Sequence, residues 1–539
     1  MKDIKKVLLP EIEEFRKVGH KFVNGEISVM DFKGQSGGMG VYAHRGGKEF
    51  MIRLRIPSGI ITMPQFKLIC DWADKYKLGG LHFTTRQAIQ YHGISIDDVC
   101  NLMNDALEND IYTRGAGGNF PRNVALSPLS GVDKDEAFDP TPYALATGEY
   151  FMERITTYKL PRKLKVSFSN GSSDTAHCTI QDLGFLAVRK DGKDYFRVYL
   201  GGGLGRNPKV ALLYPELIEP SEVLNYVEAM VRLFKAEGNY ENKAKARIRY
   251  IVDKLGEEGF ISEYKKYVDE VKSECNYKVD CKATEYNKAG IKTNISNSRL
   301  VEQKQCGLYS VYVHPVGGQI KVNDLKAIYE TLSKFDNPEI RLSMTEGVYF
   351  RNLNGKEAEE LLELTKHIGG SNDFEYSVSC IGVPTCQIGI AESQAALSEV
   401  LSYVKEKISN TDLLPKLHFS GCGNSCGVHQ ISEIGFTGKK KRINDVVQEA
   451  YEIYVNGNCV EGETRLGKAY GDIARKDIPM FICELGNKLN EANIAFGDYI
   501  NSNEDEFKAL VEKYNCPVYI HQDDYEMIYN DQLNLSNYY

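Results

Sequence analysis

LPRKLKVSFSNGSSDTAHCTIQDLGF (160–185) and LLPKLHFSGCGNSCGVHQISEIGF (413–436) are two copies of one pattern. Phe168 and Phe419 are 251 positions apart, and so are Phe185 and Phe436. The copies differ where chemistry would sit, because Cys422 and Cys426 stand opposite Gly171 and Thr175. A second repeat lies upstream of each. In 50–56, Ile52, Leu54 and Ile56 alternate with Arg53 and Arg55, the period of a strand. Pro57 and Gly59 end it, and Thr62 with Gln65 forms a capping box. Phe66, Ile69, Cys70 and Ala73 then follow helical spacing. Val311 and Val313, Pro315 and Gly317 repeat the strand and its end. Asn323 is the expected N-cap of the matching helix, which runs on through Leu325, Ile328, Tyr329 and Leu332. Offsets of 258 to 260 hold through this unit, ending on the paired Thr85 and Thr345. The chain therefore reads as a duplicated half with pseudo-two-fold symmetry.

Total composition sets the class. The chain has 539 residues, 42% hydrophobic and 26% charged, which is an ordinary globular balance. A net charge of −8 argues against a nucleic-acid or anionic-membrane binder. The start, MKDIKKVLLPEIEEF, puts charges through any would-be apolar leader, and no run has bilayer length. A cytoplasmic location is the expectation. Thirteen cysteines cannot all pair within one chain, which in a large intracellular enzyme directs attention to metal or catalysis.

Cys380 and Cys386 have five residues between them, and Cys422 and Cys426 have three. Four thiolates in two close pairs can complete a tetrahedral zinc site or a four-iron cluster. The C-x5-C spacing is long for zinc. Glycines 421, 423 and 427 would let backbone approach a bulky group. Cys275 and Cys281 share the five-residue spacing, but lie in a polar, Lys-rich stretch without Gly or Pro beside them.

These residues resemble the siroheme-dependent sulfite and nitrite reductases over nearly the whole chain, including the duplication. CIGVPTC (380–386) and CGNSC (422–426) are the most specific part. The resemblance implies that Cys380, Cys386, Cys422 and Cys426 hold a 4Fe–4S cluster, with Cys426 bridging to the siroheme iron. The family's R-x-R-x-P-x-G appears at 53–59, T-x-R-Q-x-x-Q-x-H at 84–92, R-N-V at 122–124 and P-R-K-x-K at 161–165. It implies that Arg53, Arg122, Lys163 and Lys165 surround the substrate. Thr84, Arg86, Gln90, His92, Asn424 and Arg247 would contact the siroheme, which is rich in carboxylates.

The fold implied is α+β and internally duplicated, with two ferredoxin-like half domains and two siroheme/4Fe–4S-type domains. The expected boundaries are 1–100 for an N-terminal helix and the first half domain, and 101–264 for a siroheme domain without cluster cysteines. A linker at 265–300, the second half domain at 301–370 and the cluster domain at 371–539 follow. The implied activity is six-electron reduction of sulfite to sulfide, with nitrite to ammonia as the alternative. Retention of Lys165 leans toward sulfite. Electrons would come from a separate ferredoxin or flavoprotein.

Small oxyanions require such a site on chemical grounds. Converged Arg and Lys attract them, and the Arg fork orients oxygens. Lysines held among cations lose protons readily and can donate them.

Other readings attach to single features. Arg53 and Arg55 alone fit the solvated face of a strand, and a four-cysteine zinc protein is the alternative of another class. Lys439 to Arg442 read as a solvated hairpin tip after a Gly-Phe-Thr-Gly turn. Gly201 to Gly205 lacks dinucleotide spacing. By resemblance it marks a close backbone approach to siroheme. One departure stands out: His82 occupies a place where some family members have arginine.

Overall fold

The structure, a computed structural model, describes residues 2–281, 284–443 and 446–516. The last ten residues, NDQLNLSNYY (530–539), read from the sequence as a tail, and they lie outside the described residues. Four five-stranded sheets organise the described residues, in two matched pairs.

The first half-domain sheet runs Val41–Ala43, Phe50–Arg55, Ala88–Ile94, Gly80–Phe83 and Gln319–Lys321. The second runs Leu300–Glu302, Leu308–Val313, Val348–Asn354, Glu339–Leu342 and Ile60–Ile61. The last strand of each comes from the other half. Gln319 to Lys321 pairs with Gly80 to His82, and Ile60 and Ile61 pair with Arg341 and Ile340. The two halves are thus stitched by reciprocal exchange of an edge strand, which also covers two sheet edges.

Thr62 accepts the Gln65 N–H and Gln65 caps back, as the capping-box reading expects. Asn323 is not an N-cap. Lys321 holds that place without a side-chain bond, because strand pairing keeps the chain extended to 321 and the helix begins at Val322.

The other pair of sheets repeats a mixed topology. Ala125–Leu126, Val166–Ser169 and Leu183–Lys190 are parallel neighbours, followed by antiparallel Lys193–Leu200 and Leu212–Leu213. Val378–Ser379, Leu417–Ser420, Ile434–Ile443, Val446–Val455 and Lys468–Ala474 follow the same order. The paired phenylalanines of the repeat stack in both copies. Phe168 lies 4.7 Å from Phe185, and Phe419 lies 4.5 Å from Phe436, all fully buried. Phe419→Ala removes a ring that also packs against Tyr451. It should cost about 3–5 kcal/mol, read as a lower denaturant midpoint for the last domain. A midpoint within error of wild type would show that this stack does not hold the domain.

Two boundaries and one turn differ from expectation. Helix Ile96–Glu108 packs on the first half-domain sheet, so the division at 100 falls inside it. Helix Glu257–Glu274 carries regular structure ten residues into the expected linker, with Phe260, Tyr264, Val268 and Val271 buried. Gly435 to Gly438 is continuous strand rather than turn. Lys439 pairs with Glu452 at 3.0 Å and Asp472 at 3.2 Å, Lys440 with Glu449 at 3.1 Å, and Lys441 with Asp472. Acids on the adjoining strands hold that basic run, so it is not a solvated tip. No described helix is long and apolar enough to cross a membrane.

Candidate functional site

Strand register builds the first wall. Arg53 pairs with Gln90 across one strand boundary and Gln90 with His82 across the next, so the three side chains form a row. This face is not solvated. Arg55 is buried, its guanidinium donating to Pro121 O at 2.8 Å and Arg122 O at 3.3 Å. Arg53 donates to Ala116 O at 3.0 Å. In the turn between the strands, Thr84 Oγ1 accepts from the N–H groups of Arg86 and Ala88, at 3.3 and 3.2 Å. Arg86 donates to Gln181 Oε1 at 3.0 Å and Val166 O at 2.8 Å, while its Nε is buried without a partner. Burial brings its guanidinium down to about 9, with Asp182 opposing and Arg122 and Arg247 adding.

The first copy of the mixed-sheet domain supplies the second wall. Arg122 donates to Ala116 O at 2.7 Å and Gly118 O at 2.8 Å, leaving its own Nε unpartnered. Arg247 is engaged rather than free. Its NH2 donates to both oxygens of the fully buried Asp182 at 2.9 Å, and Nε adds a bond at 3.2 Å. Asp182 also accepts the Lys165 backbone N–H at 2.8 Å. Burial, then Lys165, Arg247, Arg162 and Arg122, hold the Lys163 ammonium well below the lysine range. Burial, Arg86 and Arg247 push Lys165 down to about 7, against the pull of Asp182 and Cys426.

The second copy supplies the thiols. Its two loops are pinned to each other by backbone, with Cys380 N on Phe419 O at 3.1 Å and Ile390 N on Gly421 O at 2.8 Å. Cys380 Sγ accepts the Gly421 N–H at 3.1 Å, and Asn424 Nδ2 donates to Cys422 Sγ at 3.4 Å. Thr85 Oγ1 donates to Cys426 O at 2.7 Å, tying the first half domain to this loop. Burial and Cys426 push the Cys380 thiol up to about 12. Burial and the other three cysteines push Cys422 well above the thiol range. Burial, with the neighbouring cysteines, keeps Cys380, Cys386 and Cys422 protonated, and a bound metal would take those protons. Among the described residues no three His, Cys, Asp or Glu side chains gather closely enough to hold a metal ion as they stand.

The loop glycines act differently from expectation. A Cβ at Gly421 would sit 2.7 Å from Ala391 O, and one at Gly427 2.1 Å from Phe419 O, so these two serve close loop packing. Only at Gly423, of the three, does the added atom meet open space. Gly205, at φ 102°, exchanges backbone bonds with the Gln430 amide at 2.8 and 3.0 Å. The 201–205 run therefore joins the two copies and places Leu204 on the cavity.

A cavity of about 560 Å³ unites these walls. Arg53, Arg122, Lys163, Lys165, Thr84, Arg86, Gln90, His92, Arg247 and Asn424 all line it, with Cys380, Cys386, Cys422 and Cys426. Cys275 and Cys281 do not. The lining also includes Lys33, His44, His177, Lys243 and Glu346, which carried no motif of their own. The repeat held a signal for one of them, since Glu346 stands 260 positions from Arg86. Cationic walls, unpartnered buried N–H groups on Arg86 and Arg122, and four neighbouring thiols fit an anionic macrocycle beside an iron–sulfur cluster.

The comparisons agree. The model of the nitrite and sulphite reductase 4Fe–4S domain matches residues 117–272. The nitrite/sulfite reductase ferredoxin-like half domain matches twice, at 42–109 and 301–368. The first match falls on the copy without the four cysteines. An assimilatory ferredoxin-dependent nitrite reductase of Haloferax mediterranei is 26% identical, covering 83% of this chain and 80% of its own. The sulfite reductase (NADPH) hemoprotein beta-component of Anoxybacillus flavithermus is also 26% identical, over 80% of this chain and 79% of its own. The chloroplastic ferredoxin–nitrite reductase of Oryza sativa is 27% identical, over 81% of this chain and 73% of its own. The Mycobacterium tuberculosis NirA protein has the same fold, with a TM-score of 0.78 at 21% identity over 94% of this chain and 96% of that one.

Proposed function

The chain belongs to the nitrite and sulphite reductase family, oxidoreductases that use siroheme and a 4Fe–4S cluster, and we propose that its cavity takes sulfite through a six-electron reduction to sulfide. The observation that carries this reading is the convergence of Arg53, Arg122, Lys163 and Lys165 with four coupled thiols on one cavity.

Cys380, Cys386, Cys422 and Cys426 would hold the cluster, with Cys426 also contacting the siroheme as the resemblance implies. Thr84, Arg86, Gln90, His92, Arg247 and Asn424 would face the siroheme, with Arg247 preset by Asp182. When bound, the two groups would supply a redox-active centre that passes electrons on to the anion. Arg53 and Arg122 present guanidinium forks that orient the anion's oxygens. Lys163 and Lys165 hold their protons loosely and give them to oxygens that leave as water. Ferredoxin, or a flavoprotein, would supply the electrons; the ferredoxin-dependent relatives support the former. Nitrite is the second reading, supported by those same relatives.

Steady-state turnover with a reduced dye tests the assignment. A higher kcat/KM for sulfite supports it, a higher value for nitrite transfers the site to the second reading, and no turnover of either removes both. Lys165 adds a pH prediction. It must be protonated to donate, and burial beside Arg86 and Arg247 pushes its ammonium down to about 7. Activity should therefore fall as pH rises through that region, and Lys165→Arg should move the limb upward. The same limb in the arginine variant would assign it to another group.

A further inference from the structure

The row Arg53, Gln90, His82 has a feature beyond anion binding. Gln90 is buried, and one orientation of its amide satisfies every neighbour. Its oxygen then accepts from Arg53 NH2 at 2.5 Å and Nε at 2.9 Å, while its nitrogen donates to His82 Nδ1 at 3.0 Å and His92 Nε2 at 3.2 Å. Turned over, the amide would point its N–H groups at the guanidinium.

This orientation fixes the tautomers. His82 accepts at Nδ1, so its proton sits on Nε2, which lacks a hydrogen-bond partner and lies 3.7 Å from Glu346 Oε1. Glu346 is 1% exposed and takes the Ser379 N–H on its other oxygen at 2.9 Å. His92 accepts at Nε2, so its Nδ1–H donates to His44 Nε2 at 3.2 Å. The His44 Nδ1–H then faces the exposed Glu49 carboxylate at 3.5 Å. Every imidazole N–H in both arms points away from Gln90, and each arm ends on a carboxylate.

We propose that these two arms, Glu49–His44–His92 and Glu346–His82, lock the Gln90 amide and so orient the Arg53 guanidinium for the anion. His44, His82, Glu49 and Glu346 are thereby positioning residues. The inference rests on the reductase reading for what the anion is, and on geometry alone for the locking. Arg53 NH1 is committed to Ala116 O, and Nε and NH2 both to Gln90, so the guanidinium is held at all three nitrogens and only the second hydrogens of NH1 and NH2 are left for an anion. Burial, with His82, His44 and Arg53 nearby, holds His92 well below the ordinary histidine range, which keeps it an acceptor. The other half domain lacks the device: 260 positions on, Phe350 stands where Gln90 does and Asn352 where His92 does.

His82→Leu removes an acceptor, whereas His82→Asn places an amide oxygen where Nδ1 stood. In siroheme-loaded protein, His82→Leu should raise KM for the anion about tenfold while kcat stays within about twofold, the loss of an oriented charge-assisted bond. His82→Asn should restore KM. A crystal structure of the leucine variant should show Arg53 Nε withdrawn from Gln90 Oε1. If that variant does not accumulate, His44→Leu, at the half-buried outer end, should raise KM about threefold for the same reason. Unchanged KM in the leucine variants, or Arg53 still seated on Gln90 in the crystal, overturns the proposal. If wild-type protein reduces neither anion, the reductase reading fails, and the crystal structure alone decides the positioning.

Discussion

Replacing Cys426 with serine is expected to abolish turnover, by on the order of a thousandfold or more, because members of one catalytic unit fail together. The side chain is exposed to the cavity, so the fold does not depend on it. The Thr85 bond reaches its backbone oxygen and survives the change. Cys380, Cys386 and Cys422 each lie within electrostatic reach of Cys426, so removing one sulfur breaks a shared set. The iron–sulfur absorption should fall with activity. Cys275→Ser is the control: exposed, outside the cavity, and expected to change neither. Normal absorption and turnover in Cys426→Ser would show that the four cysteines are not one site.

Asp182→Asn should cost about 3–5 kcal/mol, since it strands the buried Arg247 guanidinium without its counter-charge. Both partners lie below a tenth exposure, where water cannot compensate. Denaturant unfolding measures the loss. A second effect has a definite sign. Asp182 holds Lys165 upward, so its loss lowers that ammonium below about 7. The activity limb should move to lower pH. A variant with wild-type stability would mean that Arg247 finds other acceptors, and an unmoved limb would separate Lys165 from Asp182.

The duplication was legible because it survives as spacing. Phe168 and Phe419 announced two equivalent strands, and both now stack on a second phenylalanine. The cavity was legible because its cations and thiols sit in short motifs with steady spacing. The strand exchange was not, because Ile60–Ile61 and Gln319–Lys321 are too short to show a period. Asn323 misled for a related reason: local capping preference lost to strand pairing that only the opposite half supplies. The length of helix Glu257–Glu274 was hidden by its polar composition, since its buried face is a narrow stripe. Glu346 and His44 carried no motif because their roles are contacts across the sheet and between halves. The commitment of Arg247 to Asp182 was invisible for the same cause, with 65 residues separating the pair.

The anaerobic visible spectrum of the full chain, purified with siroheme supply intact, tests the central claim most directly. The account predicts isobacteriochlorin bands over a broad iron–sulfur background, with the bands shifting when sulfite or nitrite is added. A protein that stays colourless after siroheme and cluster reconstitution, and binds a single zinc, would contradict it.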